Sequence, residues 1–97
     1  MFTGLIKDIG TIRSIEGAVD GKCVEIEVSD KFTSVQVGAS VCCSGCCLTV
    51  TEKSKNSLSF DISKETLNKT TTGAWRVMTR INLEPPLRFG DDLGGHI

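Results

Sequence analysis

Short segments that alternate between hydrophobic and polar residues run through most of the chain and predict β-strands. The cleanest alternation covers residues 23–28, where Val24, Ile26 and Val28 share one face. A weaker alternation covers residues 5–15. The other predicted strands cover residues 38–43, 46–52, 57–62 and 76–83. The chain is therefore expected to contain six short strands.

Turn-forming residues separate these strands and leave little room for helix. The predicted turns are the glycine-bounded segment 17–21, the dipeptide Ser44-Gly45, the polar segment 53–56 and the strand-ending pair Pro85-Pro86. Ser44-Gly45 fits a two-residue hairpin turn. Two short helical turns are also expected, one at residues 29–32 with Ser29 or Asp30 as N-cap, and one at residues 63–67 with Ser63 as N-cap. This pattern predicts an all-β fold, either a small closed barrel or a sandwich.

Composition narrows the class of protein. The 97 residues suffice for one domain, covering positions 1–97, and no apolar run is long enough for a transmembrane helix. The N-terminal residues lack the basic and apolar regions of a secretory signal. A net charge of −1 argues against nucleic-acid binding, which needs an excess of Lys and Arg. We expect a cytoplasmic globular domain without a membrane or nucleic-acid partner.

Four of the five cysteines lie at positions 42, 43, 46 and 47, around the predicted hairpin turn. Cys43 and Cys46 have the spacing of half a zinc site, but alternation along a strand points Cys42 and Cys43 to opposite faces. Four sulfurs therefore do not converge easily, and the sequence favours free thiols with no metal. With a single histidine in the chain, a thiol that lines a pocket is better supported than a covalent nucleophile.

Several motifs in order along the chain resemble the N-terminal half of the riboflavin synthase family (alpha-chain type). They are MFTGLI at 1–6, GASV at 38–41, GCCLTV at 45–50, FDISKETL at 60–67, INLE at 81–84 and GDDLGGH at 90–96. The resemblance implies two homologous six-stranded Greek-key closed barrels in a full-length chain, of which this sequence matches the first. The ending at Gly95-His96-Ile97 is then interpreted as the point where a longer chain would continue.

The resemblance also implies a function. Family members transfer a four-carbon unit between two molecules of 6,7-dimethyl-8-ribityllumazine and produce riboflavin and a pyrimidinedione, with no metal or organic cofactor. Their active site lies between an N-barrel and a C-barrel of neighbouring subunits in a trimer. For an isolated first barrel we expect binding of the lumazine or riboflavin, a homodimer, and weak or no activity.

Site residues carry over by position from the family. The resemblance assigns catalytic roles to Ser40, Cys47 and His96, and an N-terminal segment needed for activity to Phe2 and Thr3. It assigns substrate binding to Gly4, Leu5, Ile6, Cys46, Cys47, Leu48, Thr49, Asp61, Ile62, Ser63, Lys64, Glu65 and Thr66. Taken singly and without the resemblance, these residues are better explained structurally, Thr49 and Thr66 as strand and turn residues, Cys47 as a core filler and Ser63 as a helix cap.

Two departures from the family pattern and three rival functions remain. This chain has Met78 where the family often has glycine, and Pro85 where an arginine is common.

A non-catalytic binder of the lumazine-protein type shares the barrel, but retention of Ser40, Cys47 and His96 favours the enzyme. A flavin reductase barrel is disfavoured because the chain has no tyrosine, and a zinc module is disfavoured by the alternation of the cysteines.

Overall fold

Six antiparallel strands form a closed barrel in the computed structural model, which describes residues 7–85. The strands are β1 (Asp8–Ala18), β2 (Gly21–Glu27), β3 (Ser40–Cys43), β4 (Cys46–Lys53), β5 (Ser57–Ser63) and β6 (Arg80–Glu84). Their order around the barrel is β1-β2-β5-β4-β3-β6. Because β3, β4 and β5 pair in succession and β2 lies beside β5, this is a Greek key. The predicted all-β closed barrel is confirmed.

Short helical elements cap the strands where the sequence predicts them. A 3₁₀ turn (Asp30–Phe32) follows β2, and the Ser29 side chain accepts a hydrogen bond from the backbone N–H of Lys31. Helix α1 (Lys64–Lys69) follows β5, with Ser63 as its N-cap. A further 3₁₀ turn (Thr71–Ala74), capped by Thr70, was not predicted. Within residues 7–85, no helix has the length and apolar character needed to cross a membrane.

The barrel interior is filled by the inward-facing residues of the strands. Val24, Ile26 and Val28 are buried together, as the alternation predicts. A β-bulge interrupts the β1–β2 register between Ile12 and Ser14, so that Ile12 opposes Ile26 and Ile15 opposes Val24. A bulge places two residues of one strand against one of its partner, which shifts the alternation. This explains why β1 alternates only weakly in the sequence.

The predicted last strand, residues 76–83, is wrong over its first half. Strand β6 begins at Arg80, and the preceding residues form a turn in which the N–H of Thr79 donates to the carbonyl of Arg76 at 2.9 Å. Met78 has φ +80°, a left-handed conformation that no strand residue adopts. Val77 and Met78 are accordingly exposed, whereas the alternation had implied a strand face.

Other strand ends differ by a few residues from the predictions. Strand β1 continues to Ala18, so the predicted turn at residues 17–21 shortens to two residues. Strand β3 begins at Ser40 because Gly38, with φ +97°, lies in a turn. Strand β4 matches its predicted start, and β5 extends one residue further, to Ser63.

Candidate functional site

The β3–β4 hairpin places two of the predicted catalytic residues in one groove. Ser40 and Cys47 line a groove of about 730 Å³, whose other wall is the segment between the first 3₁₀ turn and β3. Both residues are exposed and lie on the outer face of the hairpin. The register places Thr49 directly opposite Ser40, on the same outer face. Three residues nominated from the sequence are therefore neighbours.

The hairpin turn has the geometry that the sequence predicts. Ser44 and Gly45 both have positive φ, 49° and 87°, which is typical of a type I′ turn. Cys43 and Cys46 face each other across it, as predicted. Cys43 is fully buried, and burial raises the pKa of its thiol. Within the described residues, no group of three or more His, Cys, Asp or Glu side chains could hold a metal ion.

The second group of predicted binding residues lies at the end of β5. Asp61, Ile62 and Ser63 line a separate depression of about 260 Å³ together with the β1–β2 turn. Asp61 lies opposite Cys23 of β2. Burial raises the pKa of the Cys23 thiol, and the nearby Asp61 carboxylate raises it further. The structure thus places the two groups of predicted residues in different depressions.

Between these two groups, the wall of the barrel is incompletely paired. The β4–β5 register contains the pairs Val50–Phe60, Glu52–Ser59 and Lys53–Leu58, with a bulge between Val50 and Glu52. Residues 46–49 of β4 pair only with β3, and residues 61–63 of β5 pair only with β2. We call these two unpaired edges the β4–β5 opening. An unpaired edge presents backbone N–H and C=O groups that can bind a ligand.

Alternation along β4 identifies the groups that face this opening. The N–H of Val50 donates to the carbonyl of Ala39, at 2.9 Å, so the backbone groups of Val50 point toward β3. Backbone groups on neighbouring strand residues point to opposite edges, and those of Thr49 and Cys47 therefore point toward β5. On β5, the same reasoning from the Val50–Phe60 pair directs the backbone groups of Asp61 toward the opening.

Burial or pairing limits which atoms of several predicted residues can contact a ligand. The side chains of Leu48 and Ile62 are buried in the barrel core, so only their backbone atoms remain available. Cys46 packs against the core from a half-buried position. The Glu65 carboxylate is paired with Lys69 at 2.8 Å on the exposed surface of α1. The Lys64 side chain is exposed, and the backbone N–H of Lys64 donates to the backbone carbonyl of Asp20.

Thr66 is held at the start of α1 by hydrogen bonds with Ser63. Its N–H donates to the Ser63 Oγ at 3.2 Å, and the Ser63 hydroxyl donates to the Thr66 Oγ1 at 3.0 Å. Thr66 is half-buried. The predicted residues Phe2, Thr3, Gly4, Leu5, Ile6 and His96 lie outside the described residues.

Sequence reasoning missed the second wall of the 730 Å³ groove. This wall includes Ser34, Val35 and Gln36, which follow the first 3₁₀ turn. Phe32, buried in the core, holds this segment against the barrel. A polar stretch between a capped turn and a strand is the only sequence signal for it, and such a signal is shared by many ordinary loops.

Comparisons with known proteins agree with this architecture. The family model for the lumazine binding domain matches residues 3–85. The riboflavin synthases of Brucella abortus (strain 2308) and Escherichia coli (strain K12) are each 39% identical to this chain over its full length, across 50% and 46% of their own lengths. The chain thus spans about half the length of these relatives.

Two similar solved structures are complexes of LumP. One holds 6,7-dimethyl-8-(1'-D-ribityl) lumazine and superimposes with a TM-score of 0.77 at 31% identity, covering 89% of this chain and 49% of LumP. The other holds flavin mononucleotide, with a TM-score of 0.76 at 30% identity, covering 98% of this chain and 57% of LumP. With the family model matched along residues 3–85 and the same barrel fold, this chain belongs to the lumazine binding domain family.

Proposed function

We propose that this chain is the N-terminal lumazine-binding barrel of a riboflavin synthase. In this proposal the complete protein transfers a four-carbon unit between two molecules of 6,7-dimethyl-8-ribityllumazine, giving riboflavin and a pyrimidinedione. The observation that carries the proposal is the β4–β5 opening, because the residues at its edges are those that the family resemblance nominates for binding. The 39% identity to riboflavin synthases supports the same assignment.

The opening has the chemistry to hold the polar edge of a flat heterocycle. Lumazine and flavin rings carry carbonyl and N–H groups along one edge, and these match backbone N–H and C=O groups such as those of Cys47, Thr49 and Asp61. Ligand sites in proteins commonly combine an apolar slot with a few fixed polar groups. In this proposal the hydroxyls of Thr49 on β4 and of Thr66, which follows β5 in α1, add further hydrogen-bonding groups.

In this proposal Ser40 and Cys47 act on the bound ligand. Both are exposed in the same groove. A hydroxyl and a thiol can accept or donate protons near the reacting ring, while the rigid hairpin fixes their positions. Holding two substrates in a fixed orientation contributes much of the acceleration of a reaction between them. A cytoplasmic location belongs to this proposal, since the five free thiols fit a reducing compartment.

Riboflavin binding tests the site directly. Quenching of riboflavin fluorescence on titration with the protein gives the dissociation constant. Thr49→Val and Thr66→Val each remove one hydroxyl, and loss of one hydrogen bond weakens binding by about 0.5–1.5 kcal/mol. If both variants bind riboflavin as tightly as the original protein, the assigned site is wrong.

Assembly forms the second part of the proposal. A site shared between two barrels needs a second barrel, and a second copy of this chain can take that place in a two-fold homodimer. The resemblance implies a trimer for the full-length protein. Light scattering that detects only monomer at saturating riboflavin would refute the dimer. Turnover equal to that of a two-barrel enzyme would refute the requirement for the second barrel.

A second candidate is a non-catalytic lumazine or flavin carrier. The similarity to LumP, at 31% identity and a TM-score of 0.77, favours this candidate over unrelated binding proteins. The two functions differ in turnover. Conversion of 6,7-dimethyl-8-ribityllumazine into riboflavin by the protein joined to a second barrel supports the enzyme, and tight binding without conversion supports the carrier.

A further inference from the structure

The hairpin between β3 and β4 brings two thiols together on the outside of the barrel. The turn at Ser44-Gly45 sets Cys43 opposite Cys46, and the next pair along the hairpin is Cys42 opposite Cys47. Residues directly opposite on antiparallel strands point to the same face of the sheet. The two hairpin pairs therefore lie on opposite faces, with Cys43 in the core and Cys47 on the surface.

Backbone hydrogen bonds determine how closely the outer pair approaches. The Val50 N–H donates to the Ala39 carbonyl and the Val50 carbonyl accepts from the Gly38 N–H, both at 2.9 Å, so the backbone groups of Val50 point toward β3. Every second residue of β4 has this orientation, so Cys46 is hydrogen-bonded to its partner Cys43, whereas the Cys42–Cys47 pair is not hydrogen-bonded. Non-hydrogen-bonded pairs have Cα atoms about 4.5 Å apart, within the range of about 4.4–6.8 Å that a disulfide spans.

Exposure distinguishes the two pairs chemically. Cys47 is exposed and Cys42 is half-buried, so that a small reagent can reach the outer pair from solvent. Burial raises the pKa of the Cys42 thiol, with a further contribution from the neighbouring Cys47. Cys43 is fully buried, and its thiol donates to the carbonyl of Val41 at 3.7 Å. Thiol reactivity follows exposure and thiolate formation, which leaves Cys47 as the attacking group.

We propose that Cys42 and Cys47 form a reversible cross-strand disulfide by exchange with a low-molecular-weight disulfide. The Cys47 thiol loses its proton to water, and its sulfur attacks the small disulfide, forming a mixed disulfide and releasing one small thiol. The Cys42 thiol then loses its proton and attacks the Cys47 sulfur, releasing the second small thiol. Two protein thiols are oxidised, and one small disulfide is reduced to two thiols.

The position of this disulfide links it to the groove. Cys47 of β4 lines the groove together with Ser40 of β3. The disulfide removes the free thiol of Cys47 from the groove and links β4 covalently to β3. The effect on the ligand rests on the proposed function, whereas formation of the disulfide does not. Oxidation therefore changes the site without any change in the barrel core.

Thiol counting tests the proposal. The reduced protein is incubated with excess oxidised glutathione, its remaining thiols are alkylated, and the intact mass is measured. We expect the five free thiols to fall to three, with no retained glutathione, no covalent dimer, and full recovery with a dithiol reductant. No Lys or Arg lies between Lys31 and Lys53, so trypsin leaves four cysteines in one peptide and variants must locate the bond.

Three serine variants make the assignment. Cys42→Ser is expected to retain one glutathione on Cys47, and Cys47→Ser to form no disulfide. Cys23→Ser, which changes a cysteine on β2, is the matched control and should lose two of its four thiols as the original protein does. Five persistent thiols, or an internal disulfide in Cys42→Ser or Cys47→Ser, would overturn the proposal. Riboflavin titration of the reduced protein separately tests the proposed function, which fails if riboflavin does not bind.

Discussion

The two edges of strand β5 differ in how completely they are paired. Toward β2, seven residue pairs run in unbroken register from Gly21–Ser63 to Glu27–Ser57. Toward β4, three pairs form, and the ladder stops at Val50–Phe60. The same strand thus forms a complete ladder on one side and half a ladder on the other. Its own residues cannot be the cause, because they support full pairing with β2.

The difference arises on β4. The bulge at Thr51 lies next to the point where pairing with β5 stops, whereas residues 46–49 pair with β3 along the other edge of β4. Bulges bend and twist a strand where they occur. Within the described residues, no side-chain hydrogen bond crosses the β4–β5 opening, whereas the Thr51 hydroxyl donates to the Ser59 carbonyl at 3.2 Å in the paired half. The β4–β5 ladder is therefore paired at one end and unpaired at the other.

The close approach of β2 and β5 at the end of their complete ladder is tested by Gly21→Ala, for which we expect the largest effect. A Cβ at Gly21 would lie 1.9 Å from the backbone oxygen of Ile62, so β2 and β5 would have to separate locally. Overpacking of this kind typically costs about 1–3 kcal/mol, and we expect the upper end because the clash is with backbone. The free energy of unfolding from urea denaturation measures the loss.

Gly17→Ala is the matched control for this substitution. Nothing lies within 4 Å of a Cβ at Gly17, which belongs to the neighbouring strand β1. Its unfolding free energy should stay within about 0.5 kcal/mol of the original, as at other uncrowded surface positions. Equal stabilities for the two variants would contradict the close approach of β2 and β5 at Gly21.

Local chemistry made much of this fold predictable from sequence. The alternation of Val24 and Ile26 identifies an inward face, and Ser44-Gly45 identifies a hairpin turn, because in both cases neighbouring residues determine the structure. The turn before β6 was not predictable in the same way, since the Met78 N–H donates to the carbonyl of Ile12, far away in the sequence. The groove is only half predictable for the same reason: Ser40 and Cys47 were nominated, and the opposing segment is placed by the tertiary fold.

A pair of threonine variants compares the open and paired parts of β4 directly. Thr49→Val in the opening is expected to weaken riboflavin binding about 2- to 12-fold, the equivalent of one hydrogen bond, without lowering stability. Thr51→Val in the paired half removes the bond to Ser59, and should lower the unfolding free energy by about 0.5–1.5 kcal/mol without changing binding. Fluorescence titration and urea denaturation of both variants measure the two effects. The comparison fails if both variants change the same quantity.

The turn before β6 offers a smaller, stabilising test at the opposite side of the barrel. Met78 is 72% exposed, so removing its side chain loses few packing contacts. Its φ of +80° is a backbone conformation that favours glycine. Met78→Gly should raise the unfolding free energy by about 1 kcal/mol. Val77→Gly, one residue earlier and similarly exposed, is the control and should be neutral or destabilising. A loss of stability in Met78→Gly would show that the side chain, and not the backbone, determines this turn.

The smallest effect concerns the end of the β1–β2 ladder, where side chains continue the contact after backbone pairing ends. The Ser29 hydroxyl donates to the Asp8 carboxylate and holds the pKa of Asp8 below its ordinary value. A carboxyl group whose pKa is lower in the folded protein stabilises the fold above its unfolded pKa of about 3.9, and this contribution disappears as the pH falls through the folded value. Because Asp8 is close to solvent, we expect only a few tenths of a kcal/mol. Asp8→Asn should therefore be slightly less stable than the original protein at pH 7, and this difference should vanish as the pH falls through the folded pKa of Asp8. In a Ser29→Ala background the same substitution should show no such pH dependence, and a difference that persists there would assign the effect to another partner of Asp8.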